Sequence, residues 1–309
     1  MKGEEIRFKS TDGHEGAALR WLPEGEIRAA LIINHGMAEH IGRYEDFALF
    51  LNRAGIAVWG EDHRGHGRTA GEKDNLGYFH IDNGWERVLS DISSLKSLVQ
   101  ETHPGTPLFM LGHSMGSFLT RDFLCDEGDD FAGAIISGTG YTPAYLARMM
   151  RFIARREVRR HGDRHRSSLL DTLSFGSFNR NFRPNRTSYD WLSRDEEQVD
   201  LYGQDDYCGF ISTSSFFEDL SDGLLRIIDP GRIDQTSKKL PLFFYSGDED
   251  PVGGKKGTGV KRVYQLYKKA GLINLSLQFN EGGRHESLNE TNRQDVYQMF
   301  LDFIEVNLG

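Results

Sequence analysis

The chain has 309 residues, 38% hydrophobic and 27% charged, a balance suited to one large α/β domain with an insertion or to two smaller domains. Its formal net charge of -9 argues against nucleic acid as a main partner. The two cysteines, Cys125 and Cys208, lie far apart without metal-ligand spacing, so neither a disulfide framework nor a zinc site is expected, and no metal or other cofactor is implied.

The opening Met1-Lys2-Gly3-Glu4-Glu5-Ile6-Arg7 is charged and lacks the apolar core of a signal peptide. No later run approaches the roughly 18 apolar residues of a membrane span. The expectation is a cytoplasmic protein. Residues 4–9 and 17–21 flank the turn-like Thr11-Asp12-Gly13 and predict an opening hairpin. Short apolar runs then alternate with helical spacing. Strands are predicted over 29–33, 56–59, 108–111 and 131–136, with helices over 44–54 and 85–99 between them. After a long gap come a strand over 241–245, a helix over 260–270, a strand over 275–279 and a helix over 291–306. This rhythm predicts an α/β fold: a mostly parallel central sheet with helices on both faces and ligands at the carboxyl ends of the strands.

The gap between Ser137 and Lys239 breaks the rhythm. It opens with Arg148, Arg151, Arg155, Arg156, Arg159, Arg160, Arg164 and Arg166, continues with Phe175-Gly176-Ser177-Phe178-Asn179, and turns acidic over 190–206. Structureless loops of this length are uncommon. Residues 140–235 therefore read as an inserted, mainly helical cap, or lid, over a core of 1–139 and 236–309. Gly253-Gly254-Lys255-Lys256-Gly257-Thr258-Gly259 fails the register of a phosphate-binding loop and reads as a flexible loop.

Gly112-His113-Ser114-Met115-Gly116 has G-x-S-x-G spacing between a strand and a helix, the setting of a nucleophile elbow. A serine hydroxyl is a weak nucleophile and needs a base and an orienting acid. In the chain order Ser, Asp, His, both follow predicted strands. His285 in Gly283-Arg284-His285-Glu286 is the candidate base. Asp250 in Gly247-Asp248-Glu249-Asp250-Pro251-Val252 is the candidate acid, favoured over Asp248 because Pro251 fixes a turn there. Backbone N–H groups of Met115 and Met37 are the candidate oxyanion donors. Gly36 permits close approach, and Gly36 and His113 are assigned to the substrate-binding wall. The methionine side chains are expected in an acyl pocket. His35, His40 and Glu39 could suggest a metal, but bracing of a tight turn is the preferred reading. Residues 62–68 read as a structural turn.

Asn34-His35-Gly36-Met37-Ala38-Glu39-His40, Gly60-Glu61-Asp62-His63-Arg64-Gly65-His66-Gly67-Arg68 and Gly112-His113-Ser114-Met115-Gly116 resemble the α/β-hydrolase branch of monoacylglycerol lipases and bacterial lysophospholipases. The segments around Asp250 and His285 fit the same branch. The resemblance implies the α/β-hydrolase fold, an acyl-enzyme mechanism and a single-chain lipid ester as substrate. The Arg-rich insertion departs from a mammalian-type monoacylglycerol lipase. Within it, Tyr145, Leu146, Met149, Met150 and Ile153 share one helical face, and Arg148, Arg151, Arg155 and Arg159 fall on another. One reading is transient contact with a membrane surface or an anionic head group. The other packs the apolar face on the core and pairs the arginines with Asp195-Glu196-Glu197. The rivals to a lipid esterase are a short-chain carboxylesterase, a proline-type aminopeptidase or acyltransferase using those acidic residues, and a non-catalytic binding protein.

Overall fold

The computed structural model describes residues 3–308; Met1 and Lys2 of the charged opening, and Gly309, lie outside it. Eight strands form one sheet: β1 (Glu4–Lys9), β2 (Glu15–Trp21), β3 (Ala29–Asn34), β4 (Ile56–Glu61), β5 (Leu108–His113), β6 (Gly133–Ser137), β7 (Leu242–Gly247) and β8 (Leu275–Asn280). Their spatial order is β1-β2-β4-β3-β5-β6-β7-β8. The opening hairpin and the β2–β4 pair are antiparallel, and every other pair is parallel. Five strands, β3 to β7, are buried at every position because helices cover both faces. Edge strand β8, Leu-Ser-Leu-Gln-Phe-Asn, instead alternates half-buried with exposed residues up to Phe279 and ends on the buried Asn280.

One face packs against α1 (Glu45–Asn52) and α11 (Arg293–Val306), through Phe47, Leu51, Tyr297, Phe300 and Ile304. The other packs against α3 (Gly84–Thr102), α4 (Met115–Glu127) and α10 (Thr258–Lys269), through Trp85, Ile92, Leu119, Phe123, Val263 and Tyr267. The remaining helix before the insertion is the single turn α2 (Gly67–Ala70). Between β6 and β7 lie α5 (Ala144–His161), α6 (Ser168–Phe175), α7 (Glu196–Gln204), α8 (Ser214–Arg226) and the short α9 (Pro230–Ile233).

The helix expected over 44–54 is α1, preceded by a 3-10 turn, Ile41–Tyr44, which the His40 side chain caps by accepting from Gly42 N–H. One expectation changes. The segment 253–259 is not a loop throughout. Gly254 and Gly257 take positive φ of 73° and 67°, closing a 3-10 turn that leads straight into α10.

Candidate active site

The carboxyl end of β5 delivers Ser114 with φ 53° and ψ -121°, a left-handed conformation costly for a side-chain-bearing residue. The neighbouring glycines make it feasible. A Cβ on Gly112 would collide with the Gly116 carbonyl, and one on Gly116 with the carbonyls of Asn34 and His35. Ser114 N–H donates to Ser137 O at 3.0 Å and anchors the elbow to β6.

The loop after β8 brings His285 Nε2 to 2.9 Å from Ser114 Oγ. His285 Nδ1 lies 3.0 Å from Asp250 Oδ1, on the loop after β7. Asp250 is held in turn: Val252 N–H donates to Oδ1 at 2.9 Å and Ser246 Oγ–H to Oδ2 at 3.2 Å. An ionised carboxylate only accepts, so the proton of the neutral imidazole sits on Nδ1 and the Nε2 lone pair faces the serine. Burial alone would depress the His285 pKa, but the Asp250 charge and hydrogen bond outweigh it and raise the pKa above the ordinary 6.5. Asp248 points elsewhere, accepting from Gly282 N–H at 2.7 Å and pairing with Lys256 at 3.3 Å. His113 packs against His285 with ring centroids 4.7 Å apart and the rings tilted by 48°. Burial, then the neighbouring His285 charge, pushes its pKa down to about 3, so it stays neutral beside His285.

The loop after β3 approaches from the other side. Among the described residues neither Met37 N–H nor Met115 N–H donates to another group of the chain, so both are available to an incoming oxygen. The peptide between Gly36 and Met37 is fixed at its carbonyl, which lies 2.7 Å from His35 Nδ1. His35 Nε2 accepts from His63 N–H at 3.0 Å, so the Nδ1 proton must point at that carbonyl. Gly36 N–H donates to Glu39 Oε1 at 2.5 Å. Ala38 adopts φ 54° and its carbonyl accepts from Tyr202 Oη–H at 2.9 Å and from Gly209 N–H at 3.0 Å, both in the insertion. Glu39 also accepts from Arg43, whose guanidinium makes two 2.6 Å bonds to Glu286, the residue after His285. Burial raises the Glu39 pKa, whereas Glu286 falls to about 2 because the Arg43 charge overcomes its burial. The expected bracing by His35, Glu39 and His40 is thus seen as hydrogen bonds. Residues 62–68 also brace: Asp62 accepts from Ile41 and Arg68 N–H groups, and Arg64 pairs with Asp91.

Two cavities meet at Ser114. One, of about 340 Å³, is walled by Met37, Met115, Phe118, Leu146, Met150, Ile153, Leu220 and Leu224, so both methionines stand where an acyl pocket was expected. The other, of about 410 Å³, is reached on the His285 side and is lined by Gly36, His113, Asp171, Phe175, Tyr189, Trp191 and Glu286. Asp171, Tyr202 and the Arg43 cluster carry no local sequence signature. Only the folding of the insertion onto the loop after β3 brings them here.

Helix α5 shows a mixed outcome. Ala147 and Ala154 are buried, while Leu146, Met150 and Ile153 face the apolar cavity. Its arginines do not pair with the acidic run at 195–197. Arg151 bonds Asp222 and Arg155 bonds Glu218, each at 2.7 Å, because α8 is the helix beside it. Asp195 instead caps α7 and accepts from Arg293 at 2.7 Å, while Glu196 lies 3.7 Å from Arg186. Those acids do not aim at Ser114, which removes the sequence basis for an aminopeptidase.

Among the described residues two trios could offer metal ligands, His40–Asp205–Cys208 and Glu157–His161–His165. Both ring nitrogens of His40 already have partners, Gly42 N–H and Asp205 Oδ2. Neither trio includes a member of the Ser114 constellation.

Residues 25–292 match the model of the Hydrolase_4 family, described as serine aminopeptidase, S33. The chain belongs to this family. Human monoglyceride lipase is 26% identical over 279 residues, covering 89% of this chain and 81% of the relative. A monoacylglycerol lipase of Mycolicibacterium smegmatis is 31% identical over 118 residues, covering 38% of this chain and 40% of the relative. A thermostable carboxyl esterase from Bacillus coagulans, solved in complex with glycerol, matches with a TM-score of 0.89 and 26% identity over 100% of both chains. The monoglyceride lipase of Saccharomyces cerevisiae shares the fold, with a TM-score of 0.76 at 17% identity over 99% of this chain and 95% of its own. With the Hydrolase_4 model, these matches make the chain an α/β-hydrolase and a carboxylic ester hydrolase.

Proposed function

We propose that Ser114, His285 and Asp250 are the nucleophile, base and orienting acid of a lipase for single-chain lipid esters, with monoacylglycerol as the substrate class. The observation that carries this reading is the meeting of two unlike cavities at Ser114. The apolar one suits an acyl chain. Among the described residues the other is lined by neither lysine nor arginine; of its three carboxylates Glu39 and Glu286 share the Arg43 guanidinium, and Asp171 has no cation partner. Such a chamber suits an uncharged glycerol and disfavours an anionic phosphate, so monoacylglycerol is preferred to an anionic lysophospholipid.

Ser114 Oγ attacks the ester carbonyl as its proton moves to His285 Nε2, and the Met37 and Met115 N–H groups receive the negative oxygen. Asp250 stabilises the imidazolium. His285 then gives the proton to the leaving alcohol, on the side of the polar chamber that it lines. Water, deprotonated by the same ring, releases the fatty acid from Ser114. None of these steps calls on a metal or cofactor.

In this reading residues 140–235 form a lid whose outer surface meets lipid aggregates. Tyr145, Met149, Phe152, Leu169 and Leu173 are all at least half exposed. Apolar side chains exposed together on the helices over a lipid cavity fit transient membrane docking. Among the described residues no helix is long and apolar enough to cross a membrane. Both cysteines are free thiols, which fits a reducing, cytoplasmic setting. The test is hydrolysis of monodecanoylglycerol and lysophosphatidic acid by wild type and Ser114→Ala. The wild type is expected to favour the former, and Ser114→Ala to cleave neither and to resist fluorophosphonate labelling. Hydrolysis retained by Ser114→Ala refutes the assignment of Ser114, and a preference for the anionic lipid refutes the head-group argument.

A further inference from the structure

The chamber on the His285 side is more than uncharged-tolerant. Glu39 and Glu286 are both satisfied by Arg43, but Asp171, in the first turn of α6, receives no hydrogen bond or ion pair from any described residue. Its carboxylate is half-buried, and burial raises its pKa. A partly exposed carboxylate without a partner leaves its negative charge facing the chamber, and a cation entering the chamber would pair with it. The walls around it are aromatic: Phe175, Tyr189 and Trp191 line the same space. Phe175 and Trp191 are stacked with centroids 6.3 Å apart, and Trp191 also lies 5.0 Å from the His285 ring. Aromatic faces beside a free carboxylate are the chemistry that recognises quaternary ammonium groups.

We propose that this chamber selects leaving alcohols bearing a positive charge, so that the protein hydrolyses acyl esters of quaternary ammonium alcohols, the acylcholine class, in preference to neutral isosteres. The inference rests on ester hydrolysis at Ser114. The bond broken is the acyl carbon–oxygen bond, and Ser114 Oγ replaces the alcohol oxygen. The serine proton passes through His285 to that oxygen, releasing choline, and water then frees the fatty acid. The carboxylate lies on the alcohol side and not in the acyl cavity. It is therefore placed for a charged leaving group rather than for the amino group of an aminopeptidase's acyl residue.

The experiment compares kcat/KM for decanoylcholine and for 3,3-dimethylbutyl decanoate, in which carbon replaces the ammonium nitrogen. The choline ester is expected to be favoured by about tenfold or more. Asp171→Asn is expected to collapse that ratio toward one through a higher KM for the choline ester, and Asp171→Glu to keep much of it. Equal rates for the two esters, or a ratio that survives Asp171→Asn, overturns this inference while leaving ester hydrolysis standing. Failure to cleave either ester, or any p-nitrophenyl ester, overturns the hydrolase assignment of Ser114 and this inference together.

Discussion

Replacing Asp250 by Asn separates charge from geometry at the proposed site. The Asn carbonyl can still accept from His285 Nδ1–H and Val252 N–H, and Ser246 Oγ can turn to accept from the new amide. The lost quantity is attraction between Asp250 and the imidazolium that forms as Ser114 attacks. For unit charges 3.0 Å apart at an effective dielectric of about 20, this is ~5–6 kcal/mol. A retained neutral hydrogen bond returns ~1 kcal/mol. The remaining loss lowers kcat/KM by at least about a thousandfold. The acid limb should move too. In the wild type His285 must be neutral to act, so activity falls as pH drops through a pKa raised above 6.5. In Asp250→Asn the Asp250 contributions that raise the ring's pKa are gone, leaving burial opposed only by the Glu286 and Glu39 charges, and the limb shifts to lower pH. The assay is kcat/KM for p-nitrophenyl decanoate from pH 5 to 9, with thermal melts of each variant. Asp248→Asn is the control, because that carboxylate bonds Gly282 and Lys256 instead. If Asp250→Asn stays within tenfold of wild type with an unmoved limb, or if Asp248→Asn shows the large loss, the assignment of the acid is wrong.

Three further outcomes are expected. Arg43→Met leaves Glu39 and Glu286 buried without their shared cation, and should cost ~3–5 kcal/mol in a urea melt; a loss below 1 kcal/mol would mean that solvent reaches both acids. His63 and His66 are held neutral chiefly by burial, with pKa values of about 3 and about 4 against 6.5 unfolded. Each thus contributes stability above pH 6.5 that is lost as pH falls toward those values, ~2 kcal/mol per ring by pH 5. His66→Asn should flatten the pH dependence of the urea midpoint by one ring's share, and an unchanged slope would show that the ring is protonated in the folded state. Ile153→Trp projects bulk into the apolar cavity and should move the preferred p-nitrophenyl ester to a shorter chain; an unchanged chain-length profile would place the acyl group elsewhere.

Much of this architecture could be read from the chain because the signals are local. Every strand of the sheet was foreseen within a few residues, since β3 to β7 are buried on both faces and appear as unbroken apolar runs. Ser114, Asp250 and His285 each sit at a strand end in a short polar motif, and the fold brings them within hydrogen-bonding distance. The insertion was harder. In sequence the arginines of α5 are set against an anionic surface or the acidic run at 195–197, yet the partners of Arg151 and Arg155 lie 71 and 63 positions away on α8. Likewise Asp171 reads as an ordinary first-turn acid of a helix, and only the tertiary fold shows that it faces a cavity with no partner among the described residues.

The bonds from Tyr202 and Gly209 to the Ala38 carbonyl reach beyond their local geometry. They hold a left-handed alanine one residue after Met37, whose N–H is a proposed oxyanion donor. Lifting the stretch from 196 to 209 would remove both donors and let that turn relax. Within the proposed lid this arm is the part tied to the loop after β3. Opening α5 and α6 alone would widen the entrance and leave the proposed oxyanion donors in place.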